Sequence, residues 1–492
     1  MQMMRRLTGV LAATALVAAG CGGTTARIGA GASDIVPASA PAFLAIDTDS
    51  SSSQWQTINR LAGKFPDKQK GVDAIKTDLS KQGKLDWAKD VKPALGKELD
   101  FAWLDFENNG RNFVALAQPS DAAKFKELIA KANASETDPT NHVVTDKFRG
   151  WEVVSPEQAT IDRFEQASNS AAKPLSGEPT FKQSMDRLGG DSVVRAYVNG
   201  RFLMSLARKY GGSQVRPYLD KVGTLDWIGL RVGATSDGVG VDAIVHGTAG
   251  KLFKGIPTSS GFKPKLLGTT PANALLYLTF HGTKNMFSGL QKNALFNDPA
   301  YGQFAKPLQE IGRVLQGENA IYVRPGTSRS PSVPFVIPEV TLVAAPGAGT
   351  DGEAIVDRLV KRELGAPQQA LTIEGTPAHA MASNGVGLYY ADIDGKLIVT
   401  DQPGGIRGWK DRGESLSESE SFKDAADASG LPDQTYGFLY VDIHSSVPLV
   451  EKLARQHIPT QIGRNIKPLR SAVEYAVSHT HELQVSFFLR IK

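Results

Sequence analysis

Four short patterns in this chain place reactive residue types at spacings that chemistry uses. Gly347-Ala-Gly349-Thr-Asp-Gly352 follows an apolar run, precedes a helical pattern, and has Glu374 at the end of the next apolar run. A dinucleotide site needs that order, because glycines let backbone approach a pyrophosphate at a helix N-terminus and an acid then holds a ribose hydroxyl. Ser260-Gly-Phe-Lys263 has the Ser-x-x-Lys spacing in which, on one turn of a buried helix, the lysine activates the serine. His479-Thr-His481-Glu482 would set two imidazoles on one side of a strand, as zinc requires. Asp47, His281 and Asp442 end equivalent apolar runs, with Asn199 in the related position, so that polar groups would face a shared groove.

In each case the plainer reading prevails. The loop equivalent to Gly347–Gly352 in the first half, Pro119-Ser-Asp-Ala-Ala, makes the same connection without a glycine. Gly261 and Pro264 interrupt any helical turn from Ser260 to Lys263, and the partner motifs Lys-Thr-Gly and Ser-x-Asn are missing. The histidine pair lacks a third ligand and falls where the first half has a hairpin turn. A polar residue that ends a strand commonly caps the helix that follows. Gly-x-Ser-x-Gly, His-Glu-x-x-His and Walker loops do not occur. No catalytic residue, cofactor-binding residue or metal ligand is therefore assigned.

The assignable site is Cys21. Arg5 and Arg6 precede an apolar stretch, Leu7 to Ala19, too short to span a bilayer, and Ala18-Ala19-Gly20-Cys21 supplies the small residues that a signal peptidase groove admits. The pattern predicts a lipoprotein signal peptide over 1–20 and lipidation of Cys21, whose thiol takes the diacylglycerol. Cys21 is the 1 cysteine among 492 residues, so an exported chain would carry no spare thiol. The formal charge is +4, and loss of Arg5 and Arg6 with the signal leaves +2 (4 minus 2), too weak and too dispersed for nucleic acid. Gly22 to Val36 is small and polar, which reads as a lipidated flexible tether over 21–36.

The elements that must position any site are written twice. Pro37-Ala-Ser-Ala-Pro-Ala-Phe-Leu-Ala-Ile-Asp47 matches Pro271-Ala-Asn-Ala-Leu-Leu-Tyr-Leu-Thr-Phe-His281, and Leu175-Ser with Phe181-Lys182 matches Leu416-Ser with Phe422-Lys423. Strand-then-helix segments at 113–132 and 340–363 correspond, and each half ends in a strand pair. The reading is a first α+β repeat domain over 37–248, a linker over 249–269 and a second α+β repeat domain over 270–492. Strands joined by tight turns, Thr235-Ser-Asp-Gly238 and Asn108-Asn-Gly110 among them, imply antiparallel sheets with helices interspersed.

Pro-Ala, an apolar strand, Asp47, then Trp55 and a helix ending Lys64-Phe65-Pro66 resemble the start of domain-of-unknown-function family 3352, a family of exported bacterial proteins. Asp394-Gly395 followed by a strand, Leu416-Ser and Phe422-Lys423 resemble its other recurring segment; the first half has no Asp-Gly before its corresponding strand, Gly150-Trp-Glu-Val-Val154. The resemblance implies a fold and an address and transfers no functional residue. Together these features predict a protein anchored through Cys21 at the extracytoplasmic face of a membrane, without catalytic role, that binds a lipid, a small ligand or an envelope protein. The rival is an extracytoplasmic hydrolase whose site is assembled from distant residues.

Overall fold

A computed structural model describes residues 28–492 apart from 213–218, 220–222, 250–260, 284–304, 327–336, 348, 365–367, 384–385, 412 and 454–458. Cys21, the signal peptide over 1–20, Ser260 and most of the predicted linker lie outside the described residues. Contacts divide the chain into two compact units: Met1–Phe253 with His481–Ser486 and Ile491–Lys492, and Lys254–Thr480 with Phe487–Arg490.

In the first unit the apolar run after Pro41 becomes β1 (Ala42–Asp47), which pairs antiparallel with β2 (Gly96–Trp103) on one side and with β6 (Val194–Asn199) on the other. Beyond β2 lie β3 (Phe113–Pro119), β5 (Trp151–Ser155) and β4 (Val144–Phe148); beyond β6 lie β7 (Gly223–Thr235) and β8 (Gly238–Ala249). The order is 4-5-3-2-1-6-7-8, antiparallel throughout. Alternation sends Phe43, Leu116, Val153, Tyr197 and Trp227 to one side, where Ile161 and Phe164 of helix Gln158–Ser170 and Phe181 of helix Pro179–Leu188 complete a core. Phe101, Phe113 and Val154 go to the other side, against Phe125 of helix Ala122–Ser135.

In the second unit β9 (Leu276–Gly282) lies between β10 (Gly317–Arg324) and β16 (Gly437–Asp442). Beyond β10 come β11 (Glu339–Ala344), β15 (Lys396–Thr400), β14 (Val386–Ile393), β13 (Thr376–Ser383) and β12 (Gln369–Ile373); β16 pairs with β17 (Leu469–His479). The β12–β13 hairpin has no counterpart among the described strands of the first unit. The last strand, β18 (Glu482–Ile491), follows a turn in which His481 takes φ 67°.

The tight turns follow from residue type. Asp394 and Gly395 adopt φ 53° and 72° between β14 and β15. Arg149 and Gly150 adopt φ 47° and 85° between β4 and β5, so the first half makes the same turn without aspartate.

Residues Ile28 to Val36, read from composition as the end of the tether, are instead folded into the first unit. A helical turn runs from Ala30 to Ser33, Ala32 and Val36 are wholly buried, and Ile35 is nearly so. Small residues are here for close packing: a Cβ on Gly29 would stand 2.8 Å from Ala45 Cβ and from the Phe43 ring. The predicted linker ends early for the same reason. Phe262 forms an isolated bridge with Thr435, and Leu266 is buried.

Candidate functional site

The polar residues that end the strands go chiefly to helix caps. Asp442 Oδ1 accepts from the Ser445 N–H at 2.8 Å, and Asn199 Oδ1 from the Phe202 N–H at 3.1 Å. Asp47 acts at one remove: its Oδ2 accepts from Ser52 Oγ at 2.5 Å, and that oxygen accepts from the Trp55 N–H at 3.3 Å. Trp55 in turn donates its indole N–H to the Asp47 carbonyl at 2.8 Å. His281 rests against the Phe262 ring, 5.5 Å between centroids.

The other patterns are structural as well. A Cβ on Gly347 would collide with the Gln316 side chain, Asp351 caps its helix through the Ala354 N–H, and Glu374 sits at φ 48° in the β12–β13 turn, ion-paired with Arg407 at 2.6 Å. The dinucleotide pattern is a loop filled by protein. Of the Ser260–Lys263 pattern, Ser260 lies outside the described residues, and Phe262 forms an antiparallel bridge with Thr435. Among the described residues no three His, Cys, Asp or Glu converge as metal ligands.

What the structure does assemble is a cavity of about 640 Å³ in the first unit, at the end of the sheet where β1, β2 and β6 turn polar. Pairing register places Asp47 opposite Glu98, and Ala45 opposite both Asp100 and Arg195, so Asp47, Glu98, Asp100 and Arg195 project to one side. The floor is carried by Asp47, Glu98 and Arg195; Ile28, Ala30 and Gly31 form part of the wall. The Gly29 N–H donates to Glu98 Oε2 at 2.7 Å and joins wall to floor.

Electrostatically this end is under tension. Burial pushes the Asp47 carboxyl up to about 6, against the lowering effect of its bonds from Ser52 and the Asp49 N–H. Burial also raises Glu98, and it raises Asp100 well above the usual carboxylate range, with the Glu98 charge adding to the effect. Asp100 is wholly buried, and neither of its oxygens has a hydrogen-bond partner among the described residues. Arg195, also buried, donates to Ser192 Oγ at 2.9 Å and to the carbonyls of Gly189 and Gly190.

Register supplies a control within the same chain. In the second unit β9 and β10 set His281 opposite Glu318 and Thr279 opposite Ala320, while β16 sets Phe438 opposite Thr279. Glu318 keeps the role of Glu98, accepting from the Leu266 N–H at 2.7 Å. Where the first unit has Asp100 and Arg195, the second has Ala320 and Phe438, both in its apolar core.

Asp47 was singled out in the sequence by its place after a strand; Glu98, Asp100 and Arg195 were not. Alternation in Lys97-Glu-Leu-Asp-Phe101 was the available signal, since it sets two acids on the side of β2 that Ala102 shares with the core.

Three crystal structures of TP0453 are similar over part of the chain. Crystal form III is 14% identical, covering 45% of this chain and 78% of that one, with a TM-score of 0.25. Crystal form IV is 15% identical with 45% and 79% coverage and a TM-score of 0.25, and form I is 15% identical with 45% and 77% coverage and a TM-score of 0.23. No curated protein matches the sequence. The family described as protein of unknown function, DUF3352, matches residues 7–490, nearly the whole length, and the chain belongs to that family.

Proposed function

We propose that this protein is an exported lipoprotein, held by acylated Cys21 at the extracytoplasmic face of a membrane, that binds a small polar ligand in the cavity of its first unit without chemically transforming it. The anchor reading rests on the signal pattern and the placement of the cysteine. Among the described residues no helix is long and apolar enough to cross a membrane. The two units read as duplicated copies: the order 5-3-2-1-6-7 of the first recurs as 15-11-10-9-16-17 in the second. Matching hydrogen bonds run from Leu175 N to Val36 O and from Leu416 N to Thr270 O, both 2.7 Å.

The observation that carries the binding reading is the contrast between the copies. A buried, unpartnered carboxyl costs stability, and the second copy fills that register position with Ala320. The second unit builds the same register without an acid or a guanidinium at these positions, and Arg195 is one of the residues that line the cavity. A polar floor of this kind suits a small polar ligand better than an acyl chain. The hydrolase reading gains a facing carboxyl pair, Asp47 and Glu98, but both Asp47 oxygens accept bonds from its own loop and Glu98 holds the wall.

Native mass spectrometry of the full acylated chain, released from detergent in the mass spectrometer, tests this. A reproducible extra mass, lost from a Glu98→Gln variant, is expected. A bare mass for wild type under conditions that preserve the fold, or hydrolysis of the bound species, sinks the reading.

A further inference from the structure

Resting on the anchor at Cys21, we propose that the lysine-rich layer between Lys81 and Lys97 of the first unit lies against an anionic bilayer surface. Across the chain 55 basic residues nearly balance 51 acidic ones, but from Lys81 to Lys97 there are five lysines and two aspartates. Lys81, Lys84, Lys89, Lys92 and Lys97 are all exposed, and none is ion-paired among the described residues. The neighbouring acids are occupied. Asp86 Oδ1 accepts from the Lys89 N–H at 2.8 Å, Asp90 pairs with Lys131 of helix Ala122–Ser135, and Glu98 Oε2 accepts from the Gly29 N–H.

The inside of the layer is apolar. Leu79, near the end of helix Lys68–Gly83, is buried with Leu85, Trp87 and Val91. No large apolar side chain is exposed between Lys81 and Lys97, so this stretch offers a bilayer charge without insertion. A lysine brought to an anionic surface favours the contact about fivefold, and the attraction fades within about 10 Å.

The exit of the chain toward its anchor meets that condition. Ile28 and Lys97 line the same cavity, and the Gly29 N–H bond falls on Glu98, the residue after Lys97. The seven steps from Cys21 to Ile28 reach at most about 25 Å, so acylated Cys21 holds Lys97 within reach of the headgroups. A nucleic acid or an acidic protein has to find these lysines by diffusion, whereas the anchor brings the bilayer to them. Docking through this layer sets the cavity, whose lining includes Lys97, close to the membrane surface.

The test is energy transfer from a fluorophore on the full acylated chain to acceptor-labelled lipid. The vesicles are phosphatidylcholine alone or an equimolar mixture with phosphatidylglycerol. The fluorophore is carried by Ala88→Cys, exposed within the layer, or by Ala159→Cys, exposed at the opposite end of the sheet, where Ser155 donates to the Phe113 carbonyl. Expected is a gain in transfer on the anionic vesicles at Ala88→Cys that Ala159→Cys does not share. The gain should vanish in about 1 M salt, where charge is screened within about 3 Å. Lys84→Gln, Lys89→Gln and Lys92→Gln together should lower the ratio of docked to lifted molecules about a hundredfold. The same charge loss at the exposed Lys182, Lys361 and Lys423 should leave that ratio unchanged. Equal transfer on the two vesicle types, equal gains at the two labelled positions, or a gain that the first triple variant keeps overturns the proposal. Fluorophore entering Cys21 itself, or a chain that stays in solution with both vesicle types, overturns the anchor reading and the proposal with it.

Discussion

Asp100 shows how much one residue can disclose when the other unit pairs its strands in a like register. A carboxyl buried without partners costs about 1–3 kcal/mol relative to an apolar residue that fits. Asp100→Ala, which writes the second unit's Ala320 into the first, is therefore expected to raise stability by about 1–3 kcal/mol at pH 7.5 in urea denaturation. The sign of its pH dependence follows from the direction of the shift. Asp100 in the folded protein lies above its unfolded value, so the folded state binds more protons, and the stability this group contributes at low pH is lost as pH rises through the folded value. The gain from Asp100→Ala should accordingly be smaller at pH 5 than at pH 7.5. Destabilisation at both pH values would show that Asp100 supports the fold and is not retained for a ligand. The caps are ordinary by comparison: Asp442→Ala, which orphans the Ser445 N–H, should cost about 1 kcal/mol in the same assay.

At the scale of elements, the decisive segment is Ile28–Val36. Ile35 and Val36 each bury a side chain worth about 1.5–3 kcal/mol, and Ala32 adds to that. A soluble chain that begins at Pro37 should be less stable than one that begins at Thr24 by roughly 3–6 kcal/mol in chemical denaturation. Equal midpoints for the two would mean that the segment does not dock. Composition hides this element, because GAGASDIV reads as a flexible tether, whereas its small residues are what allow backbone to lie against Phe43, Ala45 and Trp151. The strands were far more legible. Alternation and turn chemistry located β3, β6 and the β7–β8 hairpin, and helices at Ala122–Ser135 and Gly352–Leu364 match their apolar spacing. The β12–β13 hairpin has no counterpart among the described strands of the first unit, so comparing the two halves of the sequence does not disclose it. The Arg149–Gly150 turn is hidden because an arginine, at φ 47°, stands where turn chemistry favours asparagine or aspartate. The cavity was the least legible feature, since its acids come from two strands about fifty residues apart and only register brings them face to face.

For the whole molecule, the proposed address turns on one thiol. Cys21→Ser is expected to shift the protein from the membrane pellet to the soluble fraction, or to leave it as an uncleaved precursor of higher mass on gels. Mature protein still sedimenting with membranes would remove the anchor from the account. The placement of that thiol has a mechanical consequence. Six residues lie between Cys21 and Ile28, the first residue of the cavity wall, and the seven steps from one to the other reach at most about 25 Å. With Cys21 acylated, the leash is short, and any tension between bilayer and body arrives first at the Gly29–Glu98 hydrogen bond. The first thing such a load would pull open is the cavity.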